Sequence, residues 1–309
     1  MDSRPALRVG FIGLGDIGAP MAMRLHEVGL APVVWNRSPA RSAPFAERGV
    51  PVAASAADLA ERCDIVCLCL LSAEAVEDVV FGTAGVVNAG AAPRLVIDHS
   101  TISPDQTRAF ADRLQAAIGT AWLDAPVSGG PAGARAGTLA VMAGGRQEDF
   151  DLAAPVIKSF ANRVTLVGDL GMGQLAKACN QIIGFVTTAA IAEAFCTAKA
   201  AGVAPALLAE ALTGGFADST ILQAFRRATA ANEAGGLKDL IEAYMDLGKG
   251  HVRRGYAGKI GILHKDIAIA AAIARAHGTP IPLLNQVETM GRILHYQQHP
   301  ADGATTLES

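Results

Sequence analysis

Gly13-Leu14-Gly15-Asp16-Ile17-Gly18 decides the fold. The hexapeptide closes an apolar, strand-like run at residues 7–14 and opens a helical pattern at 17–29. Glycines spaced G-x-G-x-x-G between a strand and a helix answer three separate needs. Gly13 permits a tight turn, Gly15 lets backbone approach a diphosphate, and Gly18 lets the helix pack closely on the strand. The amino end of that helix then offers N–H groups and a positive dipole to an anion.

Outward from this loop the chain alternates. Residues 7–14, 32–36, 64–70, 94–98 and 121–124 read as strands, and 17–29, 39–48, 56–62, 73–80 and 104–118 as helices. Strands separated by helices predict a Rossmann-type, doubly wound parallel α/β sheet with helices on both faces. Residues 138–144 and 163–168 are two further strands, flanking a helix around 148–160. After Gly173 the pattern changes. Residues 175–201 are rich in Ala, Ile and Phe, with Gly184 inside and no proline, which predicts a helix about 40 Å long. Everything beyond reads as helix and turn. The expected organisation is a dinucleotide-binding domain over residues 1–169 and an all-α C-terminal domain over 170–309, joined by a long interdomain helix.

Composition bounds the function classes. At ~100–200 residues per domain, 309 residues suit about two domains. The chain is 51% hydrophobic and 18% charged, with a mean hydropathy of +0.31, so it can bury a large core and is not a disordered sequence. The net charge of −3 and the lack of a polybasic run exclude nucleic acid and anionic membrane as expected partners. No apolar run is expected to reach membrane-spanning length, and the first residues lack the layout of a signal peptide. Five cysteines, Cys63, Cys67, Cys69, Cys179 and Cys196, lie in apolar surroundings. They fit reduced thiols in the cytoplasm better than a disulfide framework, and Cys67 and Cys69 are too close for a zinc knuckle.

The second strand ends in Trp35-Asn36-Arg37-Ser38, with Arg41 one turn on. An NAD enzyme commonly carries an acid at the position of Asn36 to bind the ribose 2′-hydroxyl, and an acid would repel a 2′-phosphate. Asn36 removes that repulsion, and Arg37 can pair with phosphate through charge-assisted hydrogen bonds. This favours NADP over NAD, with NAD still admissible; the competing reading leaves Arg37 and Arg41 as solvated residues at a helix start. Ligands of parallel sheets sit outside the carboxyl ends of the strands. Leu71 and Ser72 stand at one such end, and Thr101 at another, where it would reach the nicotinamide ribose. His99, beside it, reads as structural.

Asp124-Ala125-Pro126-Val127-Ser128-Gly129-Gly130-Pro131 follows a strand. Ser128 supplies a hydroxyl, and Gly129 and Gly130 can expose backbone N–H groups, a set able to hold a carboxylate without a cation. The competing reading is a loop with no ligand. In Gly171-Met172-Gly173-Gln174-Leu175-Ala176-Lys177-Ala178-Cys179-Asn180-Gln181, the residues Gln174, Lys177 and Gln181 share one helical face, with Asn180 adjacent. A lysine there would lose hydration, which lowers its pKa and makes it a usable proton donor near neutrality. A lysine snorkelling from a helix end is the plainer alternative.

Taken together, the Gly-Leu-Gly-Asp-Ile-Gly-Ala-Pro-Met-Ala start, the Asp-Ala-Pro-Val-Ser-Gly-Gly loop with Gly137-Thr138-Leu139 behind it, the Lys177 helix and the later Lys265-Asp266 pair resemble the β-hydroxyacid dehydrogenase family. This family includes 3-hydroxyisobutyrate dehydrogenase and tartronate semialdehyde (2-hydroxy-3-oxopropionate) reductase. Lys177-Ala178-Cys179-Asn180-Gln181 and Gly214-Gly215-Phe216-Ala217-Asp218-Ser219 look more like the second branch. The resemblance implies that Lys177 is the general acid/base, that Ser128, Gly129 and Gly130 hold the substrate carboxylate, and that Asn180 orients the substrate. It further implies that Thr101 contacts the nicotinamide ribose, that Lys265 lies by the cofactor, and that the protein is a homodimer or homotetramer pairing through the all-α domain. Four features depart from the family pattern. Ser72 replaces a common proline, Gln181 replaces a second asparagine at a substrate-binding position, and the stretch around 229–254 is longer than usual. The segment after Tyr296 also differs.

The expected activity is therefore NADP(H)-preferring interconversion of a small β-hydroxy acid and its semialdehyde or keto acid. A 3-hydroxyisobutyrate-type dehydrogenase, an imine or ketone reductase for uncharged substrates, and a non-catalytic NADP-binding module are the alternatives.

Overall fold

The computed structural model describes residues 7–231, 236–247 and 257–298. The chain divides into two compact units, Met1–Lys177 and Ala178–Ser309. The division falls inside one continuous helix, Met172–Ala200.

The first unit is built on strands β1 (Val9–Ile12), β2 (Val33–Trp35), β3 (Ile65–Leu68), β4 (Leu95–Asp98), β5 (Ala121–Asp124), β6 (Val127–Ser128), β7 (Leu139–Gly144) and β8 (Ala161–Gly168). They form one sheet in the order β2-β1-β3-β4-β5-β7-β6, with β8 paired to β7. From β2 to β5 every pairing is parallel. β1, β3 and β4 are buried along their whole length, as strands covered on both faces must be. Alternate residues feed opposite cores. Phe11 packs with Leu14, Met21, Leu25 and Phe160, whereas Ile12 packs with Leu59, Leu68 and Trp122.

The sheet is not parallel throughout. β7 runs antiparallel to β5, with Asp124 opposite Gly144, and antiparallel to β6. The physical reason lies in the connection. A parallel return needs a crossover of a dozen or more residues. Here β6 takes up part of the chain after β5, and only a seven-residue helix, Gly130–Ala136, remains before β7. The next helix, Gln147–Ile157, is long enough, and β8 accordingly runs parallel to β7.

The second unit is helical in its described residues. Beyond Met172–Ala200 it holds Pro205–Ala211, Thr220–Ala230, Gly236–Met245, Ala257–Ala276 and Pro282–Gln298. Its core gathers Phe185, Phe195, Phe225, Ile241, Ile267 and Leu284, with Phe195 and Phe225 edge to face at 5.0 Å. The extra stretch around 229–254 contributes the end of one helix and the whole of Gly236–Met245. Its residues 232–235 and 248–254 lie outside the described residues, as does most of the segment after Tyr296. One expectation is corrected. Met172–Ala200 is long and apolar enough to cross a membrane by length and composition, with a mean hydropathy of 1.4 over its best window. Within the second unit its face formed by Phe185, Ala189, Ala192 and Phe195 is buried in the helical core.

Candidate active site

The glycine loop has the geometry its sequence requires. Gly13 sits at φ 97°, closed to most side chains, and its N–H donates to Trp35 O at 3.1 Å. A Cβ at Gly18 would overlap the Gly13 carbonyl, so helix and turn touch through bare backbone. A Cβ at Gly15 would meet nothing within 4 Å, which leaves that side open for a ligand. No side chain caps the helix that follows, Gly18–Glu27. Asn36 braces the loop: its Oδ1 accepts the Leu14 N–H at 2.9 Å and its Nδ2 donates to Ser38 O at 3.1 Å. Arg37 and Ser38 are exposed beside it. Arg41 approaches Asp16 of the loop at 3.7 Å.

The ends of the neighbouring strands converge through buried polar contacts. Leu71 is exposed, and the Ser72 hydroxyl accepts the Ala75 N–H to cap the helix Ala73–Phe81. The Leu70 N–H donates to Ser100 Oγ at 3.0 Å, tying β3 to the turn that carries Thr101. His99 is buried, stacked on Phe11 and edge-on to Phe160. Burial pushes its imidazole down to about 4, so the ring is neutral at pH 7. Its Nδ1 then donates to Ala125 O at 2.7 Å and fixes the start of the Ser128 loop. That is the structural role expected of it.

The Ser128 loop is more ordered than its composition predicts. Val127 and Ser128 pair with Val141 and Ala140 of β7. Gly129 and Gly130 follow at φ 130° and 62°, two successive conformations that side chains disfavour, and a Cβ on Gly130 would meet nothing within 4 Å. A pair of glycine peptides next to a hydroxyl results, with Gly129 exposed and Gly130 half-buried.

Asp124 joins this loop to the long helix. It is fully buried at the end of β5, and its carboxylate accepts the N–H of Gly171 at 2.7 Å and of Gln174 at 2.8 Å. The start of Met172–Ala200 is thus capped from 47 residues away. Burial pushes the Asp124 carboxyl up to about 6, against the hydrogen bonds that lower it. Gly144 and Gly173 make the approach feasible, because a Cβ on either would collide with Asp124. Lys177 lies one turn beyond Gln174 and is 7% exposed.

The other expected site residues belong to the second unit. Asn180 Nδ2 donates to Gln181 Oε1 at 3.1 Å, and Gln181 Nε2 donates to Asp266 Oδ2 at 2.6 Å. Lys265 pairs with Asp266 Oδ1 at 3.2 Å. The structure therefore gathers the glycine loop, Asn36–Ser38, Leu71, Ser72, Thr101, Ser128–Gly130 and Lys177 on the first unit, and Asn180, Gln181 and Lys265 around Asp266 on the second. Sequence reading missed Asp124 as a cap and Asp266 as a hub. The signal for Asp124 was an acid closing an otherwise apolar strand. Of the cysteines, Cys63 and Cys67 are buried but Cys179 is exposed.

A glycine loop of this geometry under a doubly wound sheet, followed by a helical unit, defines a dehydrogenase or reductase that uses a nicotinamide cofactor. Residues 8–168 match the family model for the NAD binding domain of 6-phosphogluconate dehydrogenase, and residues 171–236 match that for the NAD-binding region of NADP-dependent 3-hydroxyisobutyrate dehydrogenase. The chain is 38% identical over 217 residues to 2-hydroxy-3-oxopropionate reductase of Escherichia coli, covering 70% of this chain and 74% of the relative. It is 34% identical over 277 residues to 3-hydroxyisobutyrate dehydrogenase of Pseudomonas aeruginosa, covering 89% and 88%. The solved structure of Mycobacterium tuberculosis 3-hydroxyisobutyrate dehydrogenase with L-serine superposes with a TM-score of 0.73 at 29% identity, over 94% of this chain and 98% of that one. The chain belongs to the β-hydroxyacid dehydrogenase family.

Proposed function

We propose that the protein is an NADP(H)-preferring enzyme that interconverts a small β-hydroxy acid and its semialdehyde, with tartronate semialdehyde (2-hydroxy-3-oxopropionate) as the model substrate. The observation that carries this reading is Lys177, a lysine 7% exposed on a helix clamped by Asp124 to the strand that precedes the Ser128 loop. A lysine kept for solubility would not be placed there.

The cradle fits a dinucleotide. Gly13–Gly18 would take the diphosphate over the open side of Gly15, Arg37 would pair with a 2′-phosphate, and Leu71, Ser72 and Thr101 would line the route to the nicotinamide. Once bound, the reduced cofactor supplies the hydride. The chain's own residues do the rest. The Ser128 hydroxyl and the Gly129 and Gly130 N–H groups hold the carboxylate and so orient the carbonyl. The Lys177 ammonium gives a proton to the developing alkoxide, a contribution of about 10²–10⁴-fold. Asn180, one turn along the same helix, would orient the substrate. In the oxidative direction Lys177 takes the proton back. The identity to the E. coli reductase supports the tartronate branch, while the longer match to the P. aeruginosa enzyme favours 3-hydroxyisobutyrate as the second reading.

The same reading takes the protein as cytoplasmic and as a homodimer or homotetramer. A groove of about 410 Å³ in the second unit, lined by Ile182, Ile183, Val186 and Pro280–Leu284, offers an apolar face to a second copy. The test is oxidation of NADPH or NADH with tartronate semialdehyde and the semialdehyde of 3-hydroxyisobutyrate, and the reverse reaction with glycerate, serine and threonate. Turnover of small carboxylates, faster with NADPH, is expected. Turnover only of uncharged imines or ketones, or cofactor binding without turnover, would overturn it.

A further inference from the structure

The helical face shared by Gln174 and Lys177 does not point its two polar groups to one task. Gln174 is 1% exposed, and its side-chain amide is spent on both sides of a single residue. Its Nε2 donates to Ser100 O at 2.8 Å, and its Oε1 accepts the Ile102 N–H at 3.3 Å. Those two atoms belong to the peptide groups immediately before and after Thr101. One side chain on the Lys177 helix therefore grips the backbone flanking the residue read as the nicotinamide-ribose contact. The gripped turn is fixed from its other side as well, because the Ser100 N–H donates to Asp98 Oδ1 at 2.9 Å and Ser100 Oγ accepts from Leu70.

The fold does not need this amide to start the helix. Asp124 already accepts the Gln174 and Gly171 N–H groups. A methionine of the same length would fill the same buried space and lose only the bonds to Ser100 O and the Ile102 N–H, at a cost in stability for the two peptide groups left unpaired. What the amide adds is direction. An amide with a donor and an acceptor engaged on two fixed peptides has one orientation, and it sets both the rotation and the depth of the first helical turn against the end of β4. Lys177 stands three residues on, about 4.5 Å further along the axis.

We propose that Gln174 is a positioning residue that fixes the Lys177 amine relative to the Thr101 turn, so that proton donor and cofactor contact are set by one clamp. The proposal rests on the reading of Lys177 as the general acid, and its test separates the two.

The test is a double-mutant cycle of Gln174→Met and Lys177→Met, with turnover measured at saturating NADPH and semialdehyde, NADPH affinity by fluorescence titration, and folding by thermal melting. Gln174→Met should lower kcat at least tenfold while NADPH affinity stays within about threefold of the parent; the two unpaired peptide groups lower the melting temperature, and turnover is compared at a temperature where both proteins are folded. In the Lys177→Met background the same change should cost less than about twofold, because a residue that acts through another has nothing left to position. Gln174→Glu keeps the acceptor for Ile102 and can donate to Ser100 O only as the neutral acid, so its kcat relative to the parent should rise as the pH falls, and at low pH it replaces Gln174→Met in the cycle if that variant does not fold. An unchanged kcat in the folded Gln174 variant, or the same fold-loss in both backgrounds, overturns the positioning role. Wild-type turnover in Lys177→Met overturns the general-acid reading itself, and this proposal with it.

Discussion

The side-chain oxygen of Asn36 accepts the Leu14 N–H, so the end of β2 holds the glycine loop in place through the residue that sets its electrostatics. An aspartate at 36 would keep that acceptor and add a charge facing the 2′ position. Under the proposed NADP preference, Asn36→Asp should lower the ratio of NADPH to NADH efficiency at least about tenfold, near 1.4 kcal/mol, without unfolding the loop. Arg37→Ala should weaken NADPH much more than NADH, because an exposed guanidinium in this place has only the extra phosphate to pair with. Steady-state kinetics with both cofactors checks the two variants. Equal weakening of both cofactors would exclude a 2′-phosphate contact.

Lys177→Ala addresses the proton. It should retain NADPH binding and lose at least about a hundredfold in kcat, the scale of general acid catalysis. The loss should appear in single-turnover rates as much as in steady state, since a proton donor acts in the chemical step. Loss of binding with kcat preserved would reassign Lys177 to cofactor affinity.

Ser128→Ala removes one hydroxyl donor from the proposed carboxylate site and leaves the glycine peptides. An uncompensated hydrogen bond to a charged group is worth about 1.5–3 kcal/mol, so KM for the acid should rise about ten- to a hundredfold. An uncharged substrate analogue should feel no such change, and the contrast between the two substrates is the measurement.

Much of this site is legible in the chain because its demands are local. The three loop glycines answer to a turn and a close contact within six residues, and alternation of strand and helix is visible in any short window. The reversal of β7 is not legible, because the period of a strand is the same in either direction. β6, at two residues, is below any periodicity. Asp124 capping Gly171 and Gln181 meeting Asp266 are 47 and 85 residues apart in sequence, and such pairings leave no local pattern. The spacing of Gln174, Lys177 and Gln181 puts them on one face but cannot tell that Gln174 grips the Thr101 turn while Gln181 bonds to Asp266.

Two buried groups beneath the loops titrate in opposite senses, and that opposition is testable. Burial raises Asp124 from 3.8 to about 6. Between those values the folded chain keeps a proton that the unfolded chain has lost, so the Asp124 contribution to stability declines as pH rises through the window. Burial lowers His99 from 6.5 to about 4. There the unfolded chain holds the extra proton, so the His99 contribution is present above pH 6.5 and is lost as pH falls toward 4. At 1.36 kcal/mol per unit each effect is roughly 3 kcal/mol, and in the parent they largely cancel. Asp124→Asn should expose the histidine alone, with stability rising by roughly 3 kcal/mol from pH 4 to 6.5. His99→Gln, which keeps a donor for Ala125 O, should expose the aspartate alone and fall by a similar amount over the same range. The exposed carboxylates Asp64 and Asp218 do not disturb the comparison: Arg8, and the Gly214 N–H with Gln223, hold them below the usual range, so their contributions are lost only below that window. Denaturant unfolding of the three proteins at pH 4, 5, 6 and 7 reads the slopes directly, and three parallel profiles would show that neither group is buried as charged or uncharged in the way the structure places it.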